Sequence, residues 1–277
     1  MISGKTTLIA HVGYPTESFK APLIYNPWFD SKGIDAVVVP MGVKPEEYRE
    51  FFPLLFKMTN IRGALVTMPH KVTTTELVDE LTPIAKVAGA SNAVLLREDG
   101  SLLGDQFDGA GFARGVARKG FDVTGKRALV VGNGGVGSPI AASLVADGLA
   151  EIGLFDPNIA SSEALAGRLA EHYPDTKVAV GSKDPDGYDL VVNATPLGMN
   201  DGDPLPVDID RIAPGTFVAD VVMTQAITPF LQAALDKGCP IQVGSDMLYE
   251  QIPAYLEFFG FGTTTADELR EVSLIPA

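Results

Sequence analysis

The chain is poor in cysteine and histidine. It contains one cysteine, Cys239, and three histidines among 277 residues. A single cysteine excludes an intramolecular disulfide and a cysteine-rich metal site. We therefore expect no metal in the functional site, and we expect Cys239 to be a small apolar side chain of the interior.

Positive charge is also scarce. Lys and Arg number 21 against 35 Asp and Glu, which gives a formal net charge of −14. Nucleic acid and anionic membrane surfaces attract lysine- and arginine-rich faces, so this balance disfavours both as partners. A small anionic ligand stays compatible with it, because a few local cations can bind such a molecule.

Long apolar runs are missing as well. The chain has no stretch of about 18 apolar residues, the length that a membrane-spanning helix needs. Its first residues, MISGKTTLIAHVG, lack the apolar core and the cleavage site of a secretory signal. The sequence therefore predicts a cytoplasmic protein.

The chain does contain many short β-rich segments that alternate with helical patterns. Segments such as DAVVVPM, GALVTMP, KRALVVG and DLVVNAT are typical strands of α/β units around mostly parallel sheets. Two extended runs flank EDGS, which predicts a hairpin. We predict an α/β protein of two domains, one formed by residues 1–103 with 245–277 and the other by residues 104–244.

The strongest local motif is ALVVGNGGVGSPIAASL. Gly132, Gly134 and Gly137 fit G-x-G-x-x-G between an apolar strand and a helical run, which is the context of the dinucleotide fingerprint. The glycines allow a tight turn, a close approach of the pyrophosphate and close packing of helix on strand. Residues 104–244 are thus predicted to form a doubly wound Rossmann-type nucleotide-binding domain. The candidate cofactor loop also includes Asn133, Gly135 and Val136.

An acidic residue ends the next predicted strand. Asp156, in EIGLFDPN, follows Gly132 by 24 positions, where an acid accepts hydrogen bonds from the ribose hydroxyls of NAD and repels the extra phosphate of NADP. We therefore predict that NAD is preferred over NADP. The alternative is a turn aspartate before Pro157.

Six segments occur in order over nearly the whole chain: VTMPHK, GASNAV, GDQFDGAGF, VVGNGGVGS, NATPLGM and GSDMLYEQ. In this set the chain resembles the shikimate dehydrogenase family, whose members reduce 3-dehydroshikimate or related ring ketones with NAD(P)H. The resemblance implies an NAD-dependent oxidoreductase. It would transfer hydride between the nicotinamide and a ring hydroxyl or ketone of a shikimate- or quinate-like substrate, bound by the N-terminal domain.

The resemblance also implies the catalytic residues. In the family a lysine after a proline-containing strand end pairs with the last aspartate of a G-D-N-T-D-G block, and these match Lys71 and Asp108. A lysine held near a carboxylate can take the proton that an alcohol loses on oxidation. Which of the two is the formal base stays open. The alternative is a surface ammonium and an unrelated helix cap.

Other site residues follow from the same match. Thr67, Asn92 and Gln251 match substrate-contacting positions, and their neutral donors and acceptors suit a polyhydroxylated ring. Each alone is more often a cap or turn residue, and we interpret His70 as structural. Positions that line the dinucleotide cleft in the family match Asn193, Ala194, Thr195, Pro196, Val221 and Gly244. The alternative for this segment is a strand exit stabilised by its own polar side chains.

The match breaks where the family binds the substrate carboxylate. Phe19 and Ala21 replace a Ser-x-Ser pair, and Met223 replaces a tyrosine. Each lost hydrogen bond to a charged group costs roughly 1.5 to 3 kcal/mol, so shikimate binding should be weakened. Thr16 and Ser18 are candidates to replace the pair. We expect retained chemistry on a changed substrate.

Two other interpretations stay open. The chain could be a non-catalytic sensor of a metabolite or NAD, or a true shikimate or quinate enzyme with a rebuilt carboxylate site. The expected partner is a small cyclic hydroxy acid or polyol, and a homodimer is one option for the assembly.

Overall fold

A computed structural model describes residues 2–17 and 19–275. The chain forms two compact units, each with a six-stranded sheet. The first unit comprises Met1–Phe107 and Ile252–Ala277, and the second comprises Asp108–Gln251. The predicted α/β class is confirmed. The predicted boundaries, at residues 103/104 and 244/245, stay a prediction.

The sheet of the first unit is mixed. Its strand order is β2-β1-β3-β5-β6-β4, with β1 parallel to β2 and β3, and β5 antiparallel to β3 and β6. The pairing of β5 with β6 confirms the hairpin predicted around EDGS. The strands are β1 (Thr7–Gly13), β2 (Ala36–Gly42), β3 (Ile61–Val66), β4 (Glu80–Leu81), β5 (Ala93–Leu96) and β6 (Leu102–Asp105).

Proline starts several helices of this unit, where its missing N–H costs nothing. One of them buries a stripe of two aromatic residues and a leucine, Tyr48, Phe52 and Leu55, against the sheet. The helices are α1 (Pro22–Lys32), α2 (Pro45–Leu55), α3 (Lys71–Thr74), α4 (Pro83–Ala88) and α10 (Ala266–Val272). Another helix, α9 (Gly244–Phe259), includes the boundary at Gln251.

The sheet of the second unit is entirely parallel. Its order, β12-β11-β10-β7-β8-β9, is that of the Rossmann fold, and its central strands are buried on both faces. The order reverses between β7 and β10, so a ligand site is expected beyond their carboxyl ends. The strands are β7 (Arg127–Val131), β8 (Glu151–Phe155), β9 (Lys177–Val180), β10 (Leu190–Asn193), β11 (Phe217–Asp220) and β12 (Ile241–Gln242).

Helices connect these strands. One close approach depends on glycine, since a methyl group on Gly109 would collide with the Pro139 carbonyl oxygen of the neighbouring helix. The helices are α5 (Asp108–Arg118), α6 (Gly137–Ala146), α7 (Ile159–His172) and α8 (Pro229–Asp236), with a 3-10 turn at Ile209–Arg211. Cys239 is buried in the core of this unit, where it acts as the predicted small filler.

Over residues 2–17 and 19–275, no helix is both long and apolar enough to cross a membrane. The same residues contain no group of three or more side chains that could hold a metal ion.

Candidate functional site

The glycine loop of the second unit connects β7 to α6. Gly132 has a φ of 93°, and a methyl group on it would lie 2.7 Å from the Ala194 carbonyl oxygen. A methyl group on Gly137 would overlap the Gly132 carbonyl oxygen. On Gly134, by contrast, it would meet no atom within 4 Å. The loop is therefore tightly packed on one side and open at Gly134, which fits a cradle for a pyrophosphate.

Asn133 fixes the shape of this loop. Its side-chain nitrogen donates to the Val130 carbonyl oxygen over 3.3 Å, and its side-chain oxygen accepts from Ser162 over 2.6 Å. Ser138 Oγ donates to its main-chain oxygen over 2.8 Å. The side chain thus supports the loop from within the protein.

Asp156 follows β8 and is bonded to the same loop. Its Oδ2 accepts from the Asn133 main-chain N–H over 2.8 Å, and its Oδ1 accepts from the Asn158 N–H over 2.8 Å. Both carboxylate oxygens therefore have backbone partners.

Asn193 ends β10, on the other side of the point where the strand order reverses. Its Oδ1 accepts from the N–H and the hydroxyl of Thr195, and its Nδ2 donates to Asp220 Oδ1 over 3.0 Å. Its carbonyl oxygen accepts from the Val221 N–H. A methyl group on Gly244 would lie 2.8 Å from the Val221 carbonyl oxygen. Asn193, Thr195 and Val221 thus form one hydrogen-bonded group, and Gly244 packs against the backbone of Val221.

Sequence reasoning missed Asp220, at the end of β11. Its carboxylate is buried and accepts from Asn193, from the Val222 N–H and from Thr228 Oγ1, the last over 2.7 Å. Burial raises the pKa of the Asp220 carboxyl, and these hydrogen bonds oppose the rise. Two features of the sequence could have pointed to Asp220. It ends the apolar strand FVAD, and a Thr-Pro pair that starts the next helix follows it.

In the first unit, polar and aromatic residues gather where β1 and β3 end. The His11 ring stacks on Phe19, with centroids 4.1 Å apart and planes 30° apart. A methyl group on Gly13 would lie 2.8 Å from Phe19 Cζ and would collide with the methyl group of Thr67. The Thr67 N–H donates to the Val12 carbonyl oxygen over 2.8 Å, which keeps Thr67 beside this cluster.

Lys71 begins α3 and is only 8% exposed. Burial, and secondarily the positive charge of Lys71, lower the pKa of His11 to about 4. His11 is therefore neutral at physiological pH, and its ring is close enough to the Lys71 ammonium to respond to its charge.

The residues around Lys71 hold it in place. His70 stacks on Tyr48 at 3.8 Å with planes 3° apart, and its Nε2 bonds to the Val43 carbonyl oxygen over 2.7 Å. Tyr48 OH in turn bonds to Thr74 Oγ1 over 2.7 Å. His70 thus has the structural role predicted for it. The Lys71 carbonyl oxygen accepts from the Ser91 N–H over 2.9 Å.

Asn92 follows Ser91 and is 1% exposed. Its Oδ1 accepts from the Phe107 N–H over 2.9 Å, and its Nδ2 has no hydrogen-bond partner among the described residues. Phe107 also packs edge-on against Tyr255. Asp108, the next residue along the chain, begins α5 in the second unit and is 5% exposed.

The other predicted substrate residues differ in their surroundings. Gln251, on α9, packs its Cβ against Gly111, and its Oε1 is buried with no hydrogen-bond partner in the described part of the chain. Thr16 lies in the loop after β1, where its carbonyl oxygen accepts from the Phe19 N–H over 3.0 Å. Ser18 lies outside the described residues.

Comparison with known proteins identifies the family. The model of the shikimate dehydrogenase substrate binding domain matches residues 12–94. A shikimate dehydrogenase (NADP(+)) of Rubrobacter xylanophilus is 36% identical over 90% of this chain and 89% of its own. The chain belongs to the shikimate dehydrogenase family. It is a dehydrogenase, since the curated relatives that cover it almost completely are dehydrogenases.

Two solved structures match the fold of this chain over almost its whole length. Shikimate 5-dehydrogenase from Listeria monocytogenes, in complex with shikimate and NAD, has a TM-score of 0.90 at 28% identity, covering 98% of this chain and 97% of that one. A 5-ketofructose reductase of a Gluconobacter species has a TM-score of 0.87 at 25% identity, covering 98% of each chain. The Rossmann-type assignment is thereby confirmed.

The predicted preference for NAD over NADP is wrong. Curated members of the shikimate dehydrogenase family with 31 to 36% identity to this chain are named for NADP(+). The prediction treated Asp156 as an acceptor for ribose hydroxyls, yet both of its oxygens accept backbone N–H groups. This carboxylate stabilises the loop and the turn before α7, so its position in the sequence does not report the cofactor.

The pKa of His11 gives a testable dependence of stability on pH. In the unfolded chain His11 titrates near 6.5, whereas the folded pKa is about 4, so the unfolded state binds the extra proton first. The free energy of unfolding should fall by about 3 kcal/mol as pH drops from about 6.5 to about 4. Urea unfolding across this range measures it.

Carboxyl groups also titrate between about pH 6.5 and about 4, so variants are needed to isolate the contribution of His11 to the pH dependence. His11→Asn should lack this part of the slope, whereas the exposed control His172→Asn should keep it. Equal slopes in wild type and His11→Asn would contradict the burial of a neutral His11.

Proposed function

We propose that the chain catalyses the reversible oxidation of a ring hydroxyl in a cyclic hydroxy acid or polyol of the shikimate or quinate type, with NADP⁺ as hydride acceptor. The observation that carries this proposal is the burial of Lys71 at the start of α3, in the segment that the substrate-domain model matches. An ammonium is rarely buried without compensation, so its place implies a role.

Lys71 supplies the proton-transfer group in this proposal. As the C–H hydrogen of the alcohol leaves with its electron pair, the hydroxyl proton passes to the proposed pair of Lys71 and Asp108 and the carbonyl forms. His70 and Tyr48 fix the backbone that carries Lys71, which limits the positions of its Nζ. Asp108 is the proposed carboxylate partner of Lys71, as in the family motif.

Neutral polar groups are proposed to bind the substrate. Asn92 Nδ2 and Gln251 Oε1 are both buried with no hydrogen-bond partner among the described residues. Such atoms cost free energy unless a ligand or water bonds to them. Together with Thr67, they offer the donors and acceptors that a polyhydroxylated ring needs.

The second unit is proposed to hold the dinucleotide, which supplies the hydride acceptor when bound. The backbone at Gly134 would face the pyrophosphate, while Asn133 and Asp156 would keep the loop in shape. We propose that residues 104–244 form this nucleotide domain and that residues 1–103 with 245–277 form the substrate domain.

The substrate range should be tested broadly, because relatives differ. The Listeria protein was crystallised with shikimate, and the Gluconobacter protein is named for a keto sugar. The two therefore suggest one chemistry on ring acids and on uncharged polyols. A non-catalytic sensor is not favoured, because the curated relatives are enzymes over the same length.

The test is an NADP⁺-reduction screen over shikimate, quinate, aminoshikimate-like compounds and uncharged cyclic polyols. We expect turnover of at least one of them, followed by the absorbance of the reduced nicotinamide. Absence of turnover of every compound, by a protein shown to bind NADP⁺, would contradict the proposed function.

A further inference from the structure

One wall of the site in the first unit is aromatic. His11 and Phe19 stack face to face, and both Phe19 and the Thr67 methyl group lie close to Gly13. Phe19 is half-buried, and Ala21, two residues on, is buried. We call His11 and Phe19 the aromatic wall.

The aromatic wall is polar at one point. His11 Nδ1 is buried and has no hydrogen-bond partner among the described residues. Such an atom loses hydration without replacement, so it is a position where a ligand group is expected to bond. His11 is neutral, since burial and the nearby Lys71 charge lower its pKa to about 4.

A carboxylate would be poorly accommodated against this wall. It requires donors for its oxygens once it leaves water, and the Phe19 ring supplies none. The faces of sugar-like molecules instead present C–H groups that pack on aromatic rings, with hydroxyls at the edges. One such hydroxyl suffices to satisfy His11 Nδ1.

We propose that the substrate is an uncharged polyhydroxylated alcohol or ketone, whose C–H face packs on Phe19 and whose hydroxyl bonds to His11 Nδ1. This inference rests on the proposed function and narrows its substrate class from ring acids and polyols to polyols. The aromatic wall is then the element that selects against a carboxylate.

The test compares substrates that differ in charge. Shikimate and its methyl ester share the ring and its hydroxyls, and an inositol supplies a second uncharged ring. With NADP⁺, we expect kcat/KM for the better uncharged compound to exceed that for shikimate by about 10- to 100-fold, the loss that one missing charged hydrogen bond would cause. The inference would be overturned if kcat/KM for shikimate were higher than, or within tenfold of, the values for both uncharged compounds. The proposed function would still stand in that case. No turnover of any of them would overturn this inference, whereas turnover of other compounds in the wider screen would leave the proposed function standing.

Variants of the wall test its part in the selection. Phe19→Ser combined with Ala21→Ser supplies two hydroxyls and should raise kcat/KM for shikimate at least tenfold relative to the uncharged compound. Leu23→Ser, at an exposed position in the first turn of the adjoining helix α1, is the matched control and should change neither value. Phe19→Leu keeps the wall apolar and should retain the preference for the uncharged compound, even where the double variant folds poorly. The role of Phe19 would be overturned by two results together. Phe19→Leu would lose the preference for the uncharged compound, and a folded double variant would keep the wild-type ratio of the two kcat/KM values.

Discussion

Replacing Lys71 with alanine should lower kcat by about a hundred- to ten-thousand-fold, the range by which a positioned proton-transfer group accelerates a reaction. Lys71 is 8% exposed and begins α3, so its removal takes away a buried ammonium that the fold holds in one place. KM for NADP⁺ should change little, because the glycine loop belongs to the other unit. Steady-state kinetics with the best substrate from the screen measures both constants.

The control for this variant is Lys86→Ala. Lys86 is an exposed lysine of α4 in the same unit, so its loss changes the net charge equally and leaves the site intact. It should keep kcat within about twofold of wild type, since surface substitutions rarely disturb a site. Turnover by Lys71→Ala within tenfold of Lys86→Ala would contradict the assigned role.

The second large effect is expected at the glycine loop. A methyl group on Gly134 would meet no protein atom within 4 Å, so Gly134→Ala should fold normally. The same methyl group would stand where the pyrophosphate must approach the backbone, so the Kd of NADP⁺ should rise by about tenfold or more. Calorimetric titration with NADP⁺ and thermal unfolding of the free protein separate binding from folding.

Two matched glycines serve as controls. Gly137→Ala should lower the Tm of the free protein, because its methyl group would overlap the Gly132 carbonyl oxygen. Gly167→Ala, at an exposed position within α7, should leave binding unchanged and stabilise the helix by roughly 0.5–1 kcal/mol. Unchanged NADP⁺ affinity in Gly134→Ala would show that the pyrophosphate lies elsewhere.

Features fixed by local chain geometry could be predicted from the sequence. Gly132, Gly134 and Gly137 stand at a spacing that a strand, a tight turn and a helix impose, and the structure has β7, the turn and α6 in that order. The hairpin of β5 and β6 is equally local, since EDGS lies between its strands. Asn193 and Thr195 bond to each other, which the sequence also suggested.

Features that depend on distant partners could not be predicted in the same way. Asp156 was misinterpreted because the direction of its carboxylate depends on the conformation of the Asn133 loop. Asp220 accepts hydrogen bonds from Asn193 and Thr228, and the spacing of these residues in the sequence does not predict the bonds. No motif in the sequence singles out His11, which lies within β1. Its stacking on Phe19 and its proximity to Lys71 are visible only after folding.

In the proposed reaction, hydride moves directly between a bound nicotinamide and the substrate carbon while Lys71 transfers the proton. The most direct measurement uses NADPH deuterated at the transferable position of its ring, with the ketone of whichever alcohol the screen identifies. Mass spectrometry should find one deuterium on the alcohol carbon with wild type, formed at least a hundredfold more slowly with Lys71→Ala. An alcohol product without deuterium would exclude direct hydride transfer, and deuterium transfer at equal rates in both proteins would exclude the proton-transfer role of Lys71.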